Sequence, residues 1–411
     1  MRTRRGHAGV FLIAVLAVAI PAAAPPGAAE RSAPARAGQP QLAPARAWAT
    51  VFHGYAFLNA NRQGGASGGQ DFESENHLMV IATRARGAGT WDLLGTFTAE
   101  PMTILPAGAP ELFQRGETYH GSLLIDRQHP HDLFVQLAAQ WSRALPGHAS
   151  LRLYVAPVGE PALGPTAYVH RPSSALNPLA PLSHHNQDST HISSDVVTAG
   201  IEVGRLGVEA SAFHGREPDE NRWDVDQGRP DSYAGRLSFR PAAGLVIQVS
   251  AGRREHPEAL EAGDQTRQTV SVEYERTTAG GSIAASLIAG RNLLEGAQQE
   301  RGNTLEATWR FAHKNALYGR AESADRDLSE LLNKEQRPDA VPPRRTAVEA
   351  LTVGYARDLP LLSEAETALG AGVTLYRFDD RLDPVYGDGP VSAQIFLRVG
   401  FGSKGTEHHH H

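Results

Sequence analysis

From Trp48 to Phe401 the chain alternates apolar and polar residues in segments of about ten, separated by turns and loops. Leu133, Val135, Leu137, Ala139 and Trp141 share one face of such a segment; Gln136, Gln140 and Ser142 share the other. Leu151, Leu153 and Val155 oppose Arg152 and Tyr154. Leu206, Val208, Ala210 and Ala212 oppose Glu209 and Ser211. The pattern returns with Val270, Val272 and Tyr274 against Ser271, Glu273 and Glu275, and with Leu305, Ala307, Trp309 and Phe311 against Glu306, Thr308 and Arg310. It ends with Val391, Ala393, Ile395, Leu397, Val399 and Phe401 against Ser392, Gln394 and Arg398. A period of two over such lengths predicts half-buried strands. About sixteen are expected, the even number of a closed antiparallel up-and-down barrel. They cover 48–59, 75–86, 89–100, 133–143, 149–158, 190–203, 205–215, 231–241, 245–254, 266–277, 281–291, 303–312, 315–325, 345–357, 367–378 and 390–401. Residues 133–145 also read as an amphipathic helix.

The connections fall into two classes. Gly87-Ala88, Leu145 to His148, Gly204, Pro241 to Gly244, Thr278 to Gly280 and His313-Lys314 are short, and Asp358 to Glu366 is somewhat longer. Segments 60–74, 101–132, 159–189, 216–230, 255–265, 292–302, 326–344 and 379–389 are long. Strict alternation of the two classes suits a transmembrane barrel, whose rims face different compartments. A soluble sandwich would place Lys on its outer polar face. Here the polar faces carry Arg, Glu, Gln, Ser, Thr and Gly, as a crowded lumen requires.

Composition narrows the setting. Residues 1–29 hold a basic start, Met1-Arg2-Thr3-Arg4-Arg5, an apolar run from Val10 to Ile20, and small residues around Ala24 and Ala29. That is a secretory signal peptide, too short to span a bilayer as a helix. Cys is absent, which excludes disulfides and a lipoprotein anchor. Residues 30–46, rich in Ala, Pro and Arg, form a disordered lead-in to a barrel over 47–402. Residues 403–411 form a tail ending in what looks like a His tag, His408–His411, set aside in all metal arguments. The net charge of −6 argues against nucleic-acid binding.

These features together resemble a Gram-negative outer-membrane β-barrel of the porin-like class, over nearly the whole mature chain. The final strand, Ile395-Phe396-Leu397-Arg398-Val399-Gly400-Phe401, is similar to the terminal signature of such barrels. The resemblance implies location in the cell outer membrane, export by the signal peptide, and delivery to the barrel-assembly machinery through the last strand. It also implies long loops outside, both termini in the periplasm, contact with lipid and lipopolysaccharide, and a homotrimer as the class's common assembly. Trp48, Trp91, Trp141, Trp309, Tyr355 and Phe401 lie near strand ends, as interfacial girdles do. A chain of this size has no room for a plug domain beside sixteen strands.

In that class the third long loop folds inward as a constriction. Here it is residues 159–189, stiffened by five Pro residues. Pore-lining candidates are Arg152, Glu202, Glu209, Arg236, Arg240, Glu273, Glu306, Arg310, Arg320 and Arg398, joined by Asp92, Glu100, Glu275 and Glu322. Opposed acidic and basic walls would select polar solutes; mutual pairing would instead fill the lumen.

His residues gather in the second, third and fourth long loops: His120, His129, His131, His170, His184, His185, His191 and His214. Convergence of these loops would bring them to the outer mouth. His129, His131, Asp132, His184, His185 and His191 are the metal-site candidates, for Zn²⁺ or Cu²⁺. A hydrogen-bonded network locking the loops is the alternative. His191 and Ser193, at i and i+2, resemble the His-x-Ser pair of outer-membrane lipid hydrolases, although Ser194 and Asp195 stand where those families carry Asn, and no third partner is evident. The alternation places that pair on the lipid side. Asp219, Glu220, Asp224, Asp226 and Asp231 offer oxygen ligands for Ca²⁺ within 219–231, without a complete Ca²⁺-loop pattern.

The leading expectation is a channel for passive passage of small polar solutes or ions, with no enzymatic activity and no required cofactor. The alternatives are a metal-binding or metal-transport protein with a His-rich mouth, and a lipid hydrolase using His191 and Ser193.

Overall fold

The computed structural model describes residues 47–260, 263–295, 298–332 and 345–402. The expected signal peptide 1–29, lead-in 30–46 and tail 403–411 lie outside them, as do parts of the loops after residues 260, 295 and 332.

Among the described residues, nineteen strands follow in chain order: β1 (Ala49–Arg62), β2 (Gln70–Glu73), β3 (Asn76–Arg86), β4 (Gly89–Phe97), β5 (Ala109–Tyr119), β6 (Ser122–Gln128), β7 (Phe134–Leu145), β8 (Ala149–Gly159), β9 (Ser193–Val203), β10 (Leu206–His214), β11 (Ser232–Ala242), β12 (Leu245–Arg254), β13 (Gln265–Thr278), β14 (Gly281–Leu293), β15 (Gln299–Phe311), β16 (Asn315–Asp327), β17 (Arg345–Asp358), β18 (Glu366–Arg377) and β19 (Val391–Gly402). β2 and β3 both pair with β1 and together make one barrel strand, broken at Ser74-Glu75. β5 and β6 form a separate hairpin. The rest is a closed antiparallel barrel of sixteen strands. β1 seals it against β19, with Phe57 opposite Arg398 and Ala60 opposite Ile395. Residues 133–145, open to a helical reading, form β7, whose Trp91–Trp141 cross-strand pair ties it to β4.

The alternation divides the wall as the pattern requires. Leu153, Val155, Val197, Ile201, Val208, Leu237, Val249, Val270, Leu351, Val353 and Ile395 face outward and are exposed, making an apolar belt. An exposed belt of this extent belongs in a bilayer. Trp48, Trp91, Trp309, Tyr355 and Phe401 are exposed at the short-turn rim. Trp141 joins them opposite Trp91, so this aromatic girdle marks one interface.

Inside, the two ends of the barrel differ. Toward the loop rim the lumen is filled by two inward-folded segments. Residues 160–192 run down into the barrel and back, mostly buried, with a short helix, α2 (His184–Gln187), and a 3₁₀ turn at Ser189–His191. The segment 98–133, of which 101–132 was expected as loop, holds a short helix, α1 (Glu100–Thr103), and the β5–β6 hairpin. The hairpin escaped the period-two pattern because its register slips twice and Phe113, Glu117 and Asp126 take positive φ. Phe113 is fully buried among Tyr376, Phe378 and Tyr386, in a cluster that also takes in Leu182 and Leu328. Among the described residues, it is the barrel's own loops that occupy this end of the lumen.

Candidate functional site

The third long loop is seated by the wall rather than resting in it. Arg171, fully buried, donates from Nε to Glu306 at 2.7 Å and from Nη1 to Asp188 at 2.5 Å and to the Thr166 carbonyl at 2.7 Å. Glu306 is shared: Arg320 donates to it at 3.1 Å and Ser173 at 2.9 Å. Arg320 also donates to the Leu179 carbonyl and Ser174, Arg326 to the Leu182 carbonyl, and Arg267 to the His185 carbonyl. Glu322 accepts from the Leu182 amide at 2.7 Å. The wall of β13 to β16 thus satisfies loop backbone that would otherwise be buried without partners. Burial alone would raise Asp188, but Arg171 and His184 outweigh it and hold its carboxyl below the ordinary range. Two glycines make room for α2. Gly290 and Gly302 face each other across β14 and β15, and a Cβ on Gly302 would stand 2.6 Å from the Ser183 Cβ.

Beneath this loop lies a vestibule of about 910 Å³. It extends from Glu366, Gly400 and Phe401 at the short-turn rim to Arg171 and Pro172 under the loop. Its walls carry Arg152, Arg236 and Arg398, with Asp92, Glu100, Glu160 and Glu275. Most of these charges are paired. Glu209 bridges Arg152 and Arg236, and Arg398 lies over the Tyr55 ring at 5.2 Å. Burial raises Glu160 to about 7 against the opposing pull of Arg236.

The remaining lumen candidates sort by depth. Glu273, Glu306, Arg320 and Glu322 are under the inward-folded loop, whereas Glu202 with Arg240 (3.1 Å) and Arg310 with Asp358 (3.5 Å) are half-open pairs near the short turns. Glu100 is not on a strand as the pattern suggested. β4 stops at Phe97, and Pro101 in the first turn starts α1, which turns the Glu100 side chain into the barrel.

The His residues do not all converge. His131, His184 and His191 come together at the loop side, flanked by His129 and His185. His120 stands at the exposed hairpin tip and His214 is tied to Asp231 at 2.8 Å. His170 lies at the bottom of the descending loop, packed at 4.6 Å against His77 in the vestibule. The expected convergence fails for His120 and His214, which stay apart at the tips of other segments, and for His170, which the third loop carries down, because loop length does not reveal where each residue ends up. Asp132, a candidate ligand, receives Arg222 at 3.2 Å, and burial raises it to about 7.

His191 and Ser193 are not on the lipid side. A register shift between β9 and β10 falls at Asp195, whose φ is +50°, and resets the alternation that Val197 to Val203 obey. His191 lies in the 3₁₀ turn before the strand; its Nδ1 meets the Asp188 carbonyl at 3.0 Å. The Ser193 hydroxyl donates to the Thr190 carbonyl, also at 3.0 Å. The acidic fourth loop is split in purpose. Glu220 accepts from Thr118 and the His120 and Gly121 amides, and Asp231 from the Gly215 amide, which ties the loops together. Asp219, Asp224 and Asp226 cluster at the surface.

Against known proteins, no family profile and no curated sequence matches this chain. Solved structures do. An anion-selective porin from Comamonas acidovorans is similar over 86% of this chain and 100% of its own, at 11% identity and a TM-score of 0.52. OprB from Pseudomonas putida is similar over 87% of this chain and 94% of its own, at 8% identity and a TM-score of 0.51. At such identities the likeness is one of fold: a porin-type outer-membrane β-barrel. Its apolar belt and aromatic girdle suit such a barrel to a bilayer.

Proposed function

We propose that this protein is a porin-like channel for passive passage of small polar solutes or ions, with residues 160–192 setting its aperture. The observation that carries this reading is the vestibule: a polar, charge-lined space of about 910 Å³ opening at the periplasmic rim and ending under an inward-folded third loop. A barrel built only as an anchor gains nothing from keeping Arg152, Arg236 and Arg398 at a wet interior surface. The loop's tight seating limits passage to small species. The hydrolase reading has less support, since the Ser193 hydroxyl is engaged by the Thr190 carbonyl and both His191 and Ser193 are buried inside the barrel rather than on its lipid side. Liposome swelling with solutes of rising size tests the proposal. Swelling with the smallest solutes and none with disaccharides is the expected outcome. Indifference of the vesicles to the protein at every size would contradict it.

A further inference from the structure

Three imidazoles meet on the loop side of the vestibule ceiling. His131 follows β6, His184 opens α2 and His191 ends the 3₁₀ turn; all three are buried. One ring nitrogen from each lies within 4.8 Å of the other two. Each Nδ1 is already committed. That of His131 meets Glu100 at 2.7 Å, that of His184 meets Asp188 at 2.7 Å, and that of His191 meets the Asp188 carbonyl at 3.0 Å. An acceptor on Nδ1 fixes the tautomer and leaves Nε2 as the basic donor, the usual outer arrangement around an imidazole-bound metal. His131 Nε2 is buried and has no hydrogen-bond partner, which a structural network would not leave unused. The three rings border a void of about 10 Å³, room for about one water or ion.

We propose that His131, His184 and His191 form a binding site for a divalent transition metal of the Zn²⁺ class. Neutral imidazoles without thiolate or thioether suit Zn²⁺ and Cu²⁺ and disfavour Ca²⁺ and Mg²⁺. Three ligands leave a position open for water or for exchange. Two further imidazoles stand on the approach from outside: His129, 3.0 Å from Glu117, and His185, 3.4 Å from Glu217. Both border the same void. On the inner side Glu100 lines the vestibule while holding His131, so the site stands between mouth and periplasmic cavity. The site does not depend on the channel reading, because binding requires no conductance.

The test is titration of the full mature chain, with His408–His411 removed, by Co²⁺ and then Zn²⁺. The expected result is one equivalent of Co²⁺ giving visible bands of a low-coordinate site, displaced by Zn²⁺ and not by excess Ca²⁺. H184A and H191A should each abolish the bands. E100Q, which leaves the ligands in place, should weaken Zn²⁺ binding about 10–100-fold. H214A, remote from the cluster, should bind as the parent does. Heat-modifiable gel migration reports whether each barrel is folded; if H184A fails to fold, H191Q replaces it. Absence of Co²⁺ and Zn²⁺ binding in the folded parent, or equal binding by parent and folded H191Q, overturns the proposal.

Discussion

The two halves of the lumen are built from the same barrel strands yet solve opposite problems. At the short-turn end, charges sit in half-exposed pairs, as Arg240 does with Glu202 and Arg310 with Asp358. At the loop end, charges of the same type are buried outright and spent on holding chain: Arg171, Glu306, Arg320 and Arg326 each fix backbone or side chains of residues 160–192. A lumenal charge therefore has no single meaning. Its depth and the segment it faces decide whether it lines a path or anchors the constriction.

The sharpest way to break this contrast is R171A. It strands Glu306 and Asp188 without their shared guanidinium, a loss of about 3–5 kcal/mol for a buried pair. Residues 160–192 should become open to protease from the outside, while β-sheet content by circular dichroism stays unchanged. F113A removes the ring at the centre of the hairpin's seat and should cost a similar amount, about 3–5 kcal/mol. Hydrogen exchange should then rise in 109–128 before it rises in any barrel strand. G302V forces a side chain against Ser183 and α2, for about 1–3 kcal/mol, seen as lowered thermal stability of the folded barrel.

At the vestibule end the effects are smaller and electrical. Glu160 is raised to about 7 in the folded chain, above its ordinary value of 4.5, so the folded state holds an extra proton between these limits. Stability from this group is therefore greater toward the lower end of that window and declines as pH rises through about 7. Protonation also leaves the lumen more cationic, so preference for anions should grow as pH falls through about 7, and E160Q should flatten the profile. R240A breaks only a half-exposed pair with Glu202 and should change stability by less than about 1 kcal/mol. A large effect there would erase the distinction between the two ends.

The strands were legible because lipid on one side and water on the other impose a strict period of two. Boundaries moved by one residue at 149–158 against Ala149–Gly159 and by up to four at 303–312 against Gln299–Phe311. That signal fails wherever the backbone departs from regular pleating. The bulge at Asp195 inverted the apparent side of Ser193, and the irregular β5 hid a hairpin. The His-rich loops of the sequence include His131, His184 and His191, which the structure brings together. The sequence pattern placed His170 with them at the mouth, whereas the loop carries it down to the vestibule. Depth within a folded loop depends on wall contacts made by distant residues such as Glu306 and Arg267. One faint signal was present: Gly290 and Gly302, an unexplained glycine on each of two neighbouring strands, mark where α2 comes close.

The most direct measurement is single-channel conductance in planar bilayers, parent protein against R171A. The account predicts small, steady steps for the parent and clearly larger ones once the third loop is unseated. Steps of equal size in the two proteins, or no steps in either while both remain folded, would contradict a channel whose aperture is set by residues 160–192.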